Sequence, residues 1–163
     1  MKKLFVSLFA ALIGVSALNA LNAQDAKPAD AKPAAADATK LMLGVVPNVM
    51  QYDKKELTVK AGAKVMLLFR NEKCPLQHNF ILLKPGTKDA VGALANAMLA
   101  DPQGMAKSYI PEAAKPDLLA NTKLVQPNQT ETIEFTAPAA GDYPYLCTFP
   151  GHGAIMNGVM KVK

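Results

Sequence analysis

The sequence has no tryptophan and contains only two cysteines and two histidines among its 163 residues. Two cysteines are too few for the disulfide framework that stabilises many small secreted domains. Two histidines are too few for a His-rich metal store or for an enzyme with several copper centres. Charge is also limited: charged residues make up 19% of the chain, and the net charge of +5 gives little support to nucleic acid as a partner.

Apolar residues, by contrast, make up 50% of the sequence. This content is sufficient for a packed core and excludes a chain that is disordered throughout. The length fits one ordinary domain with short appendages.

The first 23 residues have the features of a secretory signal peptide. Lys2 and Lys3 precede an apolar run over residues 4–18, and small residues follow as far as Ala23. The run is shorter than the roughly 20 residues that a membrane-spanning helix needs, which disfavours the alternative of a membrane anchor. We expect cleavage after Ala23, with Ala20 as the second candidate, and a mature periplasmic protein without a stable membrane span.

Residues 24–40 are predicted to form an Ala/Pro-rich linker. The motif Ala-Lys-Pro-Ala occurs twice between residues 26 and 34, and no large apolar residue lies between residues 24 and 37. Burial therefore cannot offset the entropy lost on ordering this segment. The folded domain is expected to span residues 41–163.

Most of this domain has the pattern of short β-strands. Alternating or continuous apolar runs, separated by turn residues, occur at residues 41–46, 56–60, 64–70, 78–84, 130–136, 143–147 and 158–163. Short strands with frequent turns predict an all-β antiparallel sandwich or barrel.

One helical insertion interrupts the strands, at residues 89–100. Its apolar positions have helical spacing and are predicted to share one face: Val91, Leu94, Ala95, Met98 and Leu99. The strand at residues 80–83 is apolar on both faces. We therefore expect the insertion to cover the face of that strand that points away from the sandwich.

The residues with metal chemistry cluster near the C-terminus. Cys147, His152 and Met156 lie on one short segment, and Pro150-Gly151 predicts a tight turn that returns His152 towards Cys147. The other histidine, His78, begins a predicted strand. Two imidazoles, one thiolate and a weak axial methionine form the blue-copper donor set, whereas closed zinc sites use a different set.

Each of these residues has a simpler interpretation when taken alone. A single cysteine or methionine most often packs in a core, and a single histidine often has no special role. Their joint spacing is what favours one metal site. Met160 is the alternative axial ligand, although its strand position predicts that it faces the core.

The segment from Cys147 to His152, Cys-Thr-Phe-Pro-Gly-His, followed by Met156, resembles the copper loop of azurins, which are small periplasmic cupredoxins. His78-Asn79-Phe80 resembles the segment that carries the first copper ligand of that family. Residues 106–111 and 121–125 resemble the azurin flap and the strand that follows it. Plastocyanins and auracyanins share this fold, but plastocyanins have a shorter Cys-to-His spacing. The resemblance covers nearly all of residues 41–163 and implies a Greek-key cupredoxin sandwich.

The resemblance also implies a ligand set and a function. His78, Cys147 and His152 would bind one copper ion, with Met156 as the long axial ligand. The protein would be an electron carrier and not an enzyme. The alternative is a periplasmic copper chaperone or storage protein that uses the same ligands.

The resemblance further assigns supporting roles around the copper. Asn79 would tie the two ligand loops together, and the backbone region of Thr148 would help to fix the thiolate. His152 would face solvent within an apolar patch. Redox proteins such as c-type cytochromes, or copper- or haem-containing reductases, would dock on that patch.

The sequence departs from the azurin pattern at two positions near the first histidine. Gln77 stands where the family typically has glycine, whose carbonyl weakly approaches the metal. The usual azurin disulfide has no counterpart, because only Cys74 remains once Cys147 is assigned to the metal. Cys74 is interpreted as a buried thiol, with an exposed thiol or a disulfide to Cys147 as alternatives; that disulfide would destroy the metal site.

Overall fold

The computed structural model describes residues 38–163, which form eight strands and one α-helix. The strands are β1 (Thr39–Gly44), β2 (Glu56–Val59), β3 (Lys64–Asn71), β4 (Ile81–Leu83), β5 (Leu118–Asn121), β6 (Gln129–Thr136), β7 (Gly141–Leu146) and β8 (Asn157–Val162). The helix α1 (Lys88–Ala97) lies between β4 and β5. Short 3-10 helices follow it at Met98–Ala100 and Glu112–Asp117.

The strands form two sheets, with the orders β1-β3-β6 and β2-β8-β7-β4-β5. The pairs β1–β3 and β2–β8 are parallel, and the remaining pairs are antiparallel. Within the described residues the sheets form a sandwich and do not close into a barrel. The predicted all-β Greek-key sandwich with one helical insertion is therefore confirmed, and its barrel variant is set aside.

The alternation of apolar residues along the strands builds the core between the sheets. In β3 every second side chain is buried, including Val65, Leu67 and Phe69. In β8, Met160 and Val162 are buried from the opposite sheet. Each such side chain contributes about 1.5–3 kcal/mol through burial, so period-two patterning is sufficient to orient both sheets.

The central strand β7 leads directly into the candidate site. Tyr145 is fully buried, and its ring lies against Gly158 of β8, where a Cβ atom would overlap the phenol. Because alternate residues of a strand point to the same side, Cys147 follows Tyr145 into the core just beyond the end of β7.

The insertion between β4 and β5, which contains α1 and both 3-10 helices, covers the outer face of β4, as predicted. Ile81 and Leu83 point away from the main core and form a second cluster with Val91 of α1 and Ala114. The predicted helical face is only partly correct. Leu94 and Leu99 are 40% and 73% exposed, because only the stripe that contains Val91 and Ala95 packs against the sheet.

Two boundaries differ from the sequence prediction. Strand β1 begins at Thr39, ahead of the predicted domain start at residue 41. The strand that follows the insertion lies at Leu118–Asn121 instead of residues 121–125, and Val125 makes an isolated bridge with His78. The edge position of β5 is selected by its pairing with β4, which the local sequence does not encode.

The predicted signal peptide and residues 24–37 of the predicted linker lie outside the described residues. Between residues 38 and 163, the structure has no helix that is both long and apolar enough to span a membrane.

Candidate metal centre

Three side chains with metal-binding chemistry meet at one end of the sandwich: His78, Cys147 and His152. Their potential ligand atoms all lie within 4.8 Å of one another, and all three residues are buried. The Cys147 Sγ atom is 3.9 Å from Nδ1 of His78 and 3.6 Å from Nδ1 of His152. The structure thus brings together the three residues that the sequence predicted as equatorial ligands.

The loop after β7 places Cys147 and His152 side by side. Gly151 has a φ of +84°, a conformation that favours glycine, and the His152 amide donates a hydrogen bond to the Phe149 carbonyl at 2.9 Å. The Met156 amide donates to the His152 carbonyl at 2.8 Å, and the Cys147 amide donates to the Met156 carbonyl at 3.0 Å. This loop therefore closes on itself around the cysteine.

The second histidine comes from the opposite side of the site. His78 precedes β4 and is held by a two-hydrogen-bond bridge to Val125: the His78 amide donates at 3.3 Å and the Val125 amide donates at 2.8 Å. The bridge fixes the main chain of His78 without using either ring nitrogen.

Asn79 connects the loops that carry the two histidines. Its Oδ1 accepts a hydrogen bond from the Thr148 amide at 2.8 Å, and its Nδ2 donates to Thr148 Oγ1 at 2.7 Å. Nδ2 also donates to the Ser108 carbonyl at 2.9 Å, and the Tyr52 hydroxyl donates to the Asn79 carbonyl at 2.6 Å. The tie between the loops that the resemblance implied is therefore present, and the insertion also contributes to it through Ser108.

Aromatic rings enclose His152. Phe149 stacks on its imidazole with ring centroids 4.5 Å apart, and Tyr109 from the insertion meets Phe149 edge-on at 5.3 Å. His152 is only 3% exposed. The expectation that the His152 imidazole faces solvent is therefore wrong: the residue is buried, and Phe149 covers one face of its ring.

Burial keeps the three groups electrically neutral when no metal is bound. It raises the pKa of the Cys147 thiol to about 12, although the backbone N–H groups of Asn79 and Phe149 act in the opposite direction by favouring the thiolate. Burial, together with the proximity of His152, lowers the pKa of His78 to about 4, and burial also lowers the pKa of His152. Metal binding must therefore displace the thiol proton but finds both imidazoles in the neutral form that can bind it.

Strand register separates the two methionines that the sequence offered as axial ligands. Met156 is fully buried and lies opposite Cys147 in the continuation of the β7–β8 ladder. Met160 pairs with Tyr143, four residues further along each strand, or about 13 Å away at the usual rise per residue. By main-chain position Met156 is therefore the methionine nearer Cys147, and both methionine side chains pack in the main core.

The two departures from the azurin pattern have distinct structural outcomes. Gln77 directs its side-chain amide to Gln126, with Nε2 donating to Oε1 at 2.8 Å. Cys74 is a buried free thiol, as predicted, and its Sγ lies 3.1 Å from Nε2 of His78. The two sulfurs contact different nitrogens of the same ring, so the His78 imidazole separates Cys74 from Cys147 and no disulfide joins them.

Sequence reasoning missed several supporting groups. The main-chain amides of Asn79 and Phe149 favour the thiolate form of Cys147, whereas the resemblance pointed to the backbone region of Thr148. Ser108 and Tyr52 are distant along the chain and belong to segments without any local metal-site pattern. Contacts of this kind depend on how distant segments of the chain pack together, and residue spacing gives no signal for them.

The donor atoms fit a copper ion. Imidazole nitrogen and thiolate sulfur are the borderline and soft donors that copper prefers, and a His₂Cys trigonal arrangement with a nearby methionine is diagnostic of blue copper sites. The donor set is already assembled in the folded chain.

Comparison with known proteins places this site in a wider group. The chain is 44% identical over 121 residues to auracyanin-A of Chloroflexus aurantiacus, with 74% of this chain and 72% of the relative covered. It is 37% identical over 125 residues to azurin-1 of Alcaligenes xylosoxydans xylosoxydans, with 69% and 89% covered. The solved structure of auracyanin A, described as a "blue" copper protein, superposes with a TM-score of 0.69 at 38% identity and covers 77% of this chain and 99% of its own.

A family profile accounts for the whole of the described domain. Residues 39–163 match the profile of copper binding proteins of the plastocyanin/azurin family. This match agrees with the donor atoms and with the two-sheet fold, and it identifies copper as the cofactor. The chain belongs to the plastocyanin/azurin family of copper-binding proteins.

Proposed function

We propose that this protein is a type 1 (blue) copper electron carrier that accepts and donates single electrons. His78, Cys147 and His152 are the equatorial copper ligands, and Met156 is the weak axial ligand. Bound copper supplies the one-electron couple between Cu(I) and Cu(II). The protein catalyses no substrate conversion of its own.

The observation that carries this proposal is the preformed, buried cluster of donor atoms. Hydrogen bonds from Asn79 and within the 147–156 loop hold the two ligand segments in place. Outer hydrogen bonds of this kind orient metal ligands and restrict their movement. Ligands that move little between two oxidation states favour rapid electron transfer over the uptake and release of copper.

An apolar surface beside the cluster supports docking of a redox partner. Four exposed apolar side chains from three loops form most of this patch, which Asn48, Gln51 and Lys55 also line: Val49, Met50, Leu76 and Ile155. The Ile155 amide donates to the His152 carbonyl at 3.0 Å, so the patch is continuous with the ligand loop. Its partner is a protein redox centre such as a c-type cytochrome or a copper- or haem-containing reductase.

The remaining parts of the proposal concern location. The signal peptide at residues 1–23 directs the chain to the periplasm, and the residues between it and Thr39, where β1 begins, act as a linker ahead of the copper domain. That domain then works as a mobile carrier between partners.

Reduction of the copper-loaded protein in the presence of a Cu(I) chelator distinguishes a carrier from a chaperone or store. We expect the mature protein to be reduced and reoxidised through many cycles by inorganic one-electron reagents while it retains its copper. A chaperone or storage protein would instead transfer copper to the chelator when reduced. Family membership favours the carrier.

The same preparation tests the axial ligand. We expect Met156→Leu to change the electron paramagnetic resonance spectrum and to raise the reduction potential, because a copper ion with three ligands in more apolar surroundings favours the singly charged Cu(I). Met160→Leu is the matched control, since it makes the same change at a buried core position. Equal spectra for the two variants would assign Met156 to packing alone.

A further inference from the structure

Cys74 lies beside Nε2 of His78, the ring nitrogen that does not contact Cys147. Its Sγ is 3.1 Å from Nε2 of the imidazole, and its side chain is only 4% exposed. The contact is therefore shielded from water. Its position contrasts with that of Cys147, whose sulfur faces Nδ1 of the same ring.

The two nitrogens of His78 have different tasks because of this arrangement. Nδ1 points towards Cys147 and His152 and is the nitrogen available to the metal. A neutral imidazole that binds metal through Nδ1 keeps its proton on Nε2. The Nε2–H group is then the donor and Cys74 Sγ the acceptor, and among the hydrogen bonds of residues 38–163 Nε2 has this one partner.

The loop that carries Cys74 is fixed to the framework. Asn71, at the end of β3, is fully buried, and its Nδ2 donates to the Leu76 carbonyl at 2.8 Å and to the Val125 carbonyl at 2.9 Å. Val125 also bridges the main chain of His78. Cys74 and His78 are therefore held by the same anchor, so the thiol has a defined place relative to the ring.

We propose that Cys74 is a positioning residue for the copper site: its sulfur accepts the Nε2–H hydrogen bond of His78, which fixes the tautomer and orientation of that ligand. This inference rests on the proposed role of His78 as a copper ligand. Outer acceptors make a histidine a stronger donor, and stronger donation stabilises Cu(II) relative to Cu(I). Sulfur is a weaker acceptor than the carbonyl or carboxylate oxygen usual at such positions, so Cys74 acts mainly through the tautomer and orientation of the ring.

Three substitutions separate hydrogen bonding from packing. Cys74→Ala removes the acceptor and leaves space, Cys74→Val removes the acceptor but keeps side-chain bulk, and Cys74→Ser keeps an acceptor. Val65→Ala is the matched control, because it removes a comparable volume from the opposite end of β3 without touching either ligand loop.

The first measurement uses the metal-free protein, so it does not depend on copper. Nitrogen-15 nuclear magnetic resonance of the histidine side chains reports which ring nitrogen carries the proton. We expect the Nε2–H tautomer of His78 in the wild type, in Cys74→Ser and in Val65→Ala. A mixture of tautomers is expected in the Ala and Val variants. A single unchanged tautomer in all variants would overturn the inference.

The second measurement uses the copper-loaded protein. Loss of an outer partner typically weakens metal binding by 10- to 100-fold, and we expect Cu(II) affinity to fall by at least about tenfold in Cys74→Ala and Cys74→Val. If Cu(I) affinity is unchanged, each tenfold loss raises the reduction potential by about 59 mV. The reduction potential of Cys74→Ser should be lower than those of Cys74→Ala and Cys74→Val, and the potential of Val65→Ala should equal that of the wild type.

Failure of this inference is distinguishable from failure of the proposed function. A wild type with the blue copper spectrum but with equal potentials in the Cys74 variants would reject the role of Cys74 and leave the carrier function intact. A wild type without that spectrum would reject the function, and the role of Cys74 in copper binding with it.

Discussion

Asn79 is the residue on which the two ligand loops most depend. Its side chain satisfies the Thr148 amide and hydroxyl and the Ser108 carbonyl, all in buried surroundings. Asn79→Ala removes the partner of the buried Thr148 amide and one of the two hydrogen bonds to the Ser108 carbonyl, and we expect the free energy of unfolding to fall by about 1–3 kcal/mol. Denaturant titration of the metal-free protein measures this change.

Asn121→Ala provides the matched control, because Asn121 is exposed and, within residues 38–163, its side chain bonds only the neighbouring Thr122 carbonyl at 3.2 Å. We expect a change within about 0.5 kcal/mol for this variant. Equal losses for the two asparagines would contradict the assignment of Asn79 as the tie between the loops.

His78 makes the stability of the metal-free protein depend on pH. Burial lowers its folded-state pKa to about 4, whereas an unfolded histidine titrates near 6.5. Between these values the unfolded chain binds more protons than the folded one. The contribution of His78 to the free energy of unfolding is therefore fully present above about pH 6.5 and is lost as the pH falls through about 4. Denaturation midpoints measured across this range should fall with pH in the wild type and fall less in His78→Gln; an identical slope in both would contradict the account.

The residues that sequence reasoning located are those whose signal is local. Cys147, His152 and Met156 are close in sequence, and a turn at Pro150-Gly151 is sufficient to bring them together. The contact between Cys74 and His78 had the same short spacing, yet its geometry depends on how Asn71 anchors the intervening loop.

At the scale of the elements, strands β3 and β8 were predictable because alternation of buried and exposed residues is a direct consequence of the pleat. The helix was predictable in place but not in its buried face. Periodicity grouped Leu94 and Leu99 with Val91, whereas the packing of the helix on the sheet decides which of them is covered. Strand β5 has no alternation and is defined by its pairing with β4 alone.

The contact between the insertion and β4 has a measurable energy. Leu83 is fully buried beneath the insertion, so Leu83→Ala should lower the free energy of unfolding by about 2–5 kcal/mol. Leu99→Ala makes the same chemical change at a site that is 73% exposed and should cost less than about 0.5 kcal/mol. A similar cost for both would mean that the insertion does not pack on β4 as described; chemical denaturation of the two variants decides this.

At the scale of the whole molecule, the proposed equatorial ligands lie at one end of the sandwich, and the apolar patch is continuous with the loop that carries two of them. We expect Ile155→Lys to slow electron exchange with a c-type cytochrome by at least about tenfold, because a desolvated charge opposes docking on an apolar surface. Met42→Lys, at a similarly exposed position in β1, is the control and should leave the rate unchanged. Stopped-flow kinetics measure both, and equal rates would place the docking surface elsewhere.

The most direct test of the central claim is a Cu(II) titration of the purified mature protein, followed by visible absorption and electron paramagnetic resonance. The account predicts one copper per chain, an intense thiolate-to-copper charge-transfer band and the narrow copper hyperfine splitting of a blue site. It also predicts that Cys147→Ser abolishes the band, while Cys74→Ser retains it. A colourless, rapidly exchanging copper complex, or a band that survives Cys147→Ser, would contradict the account.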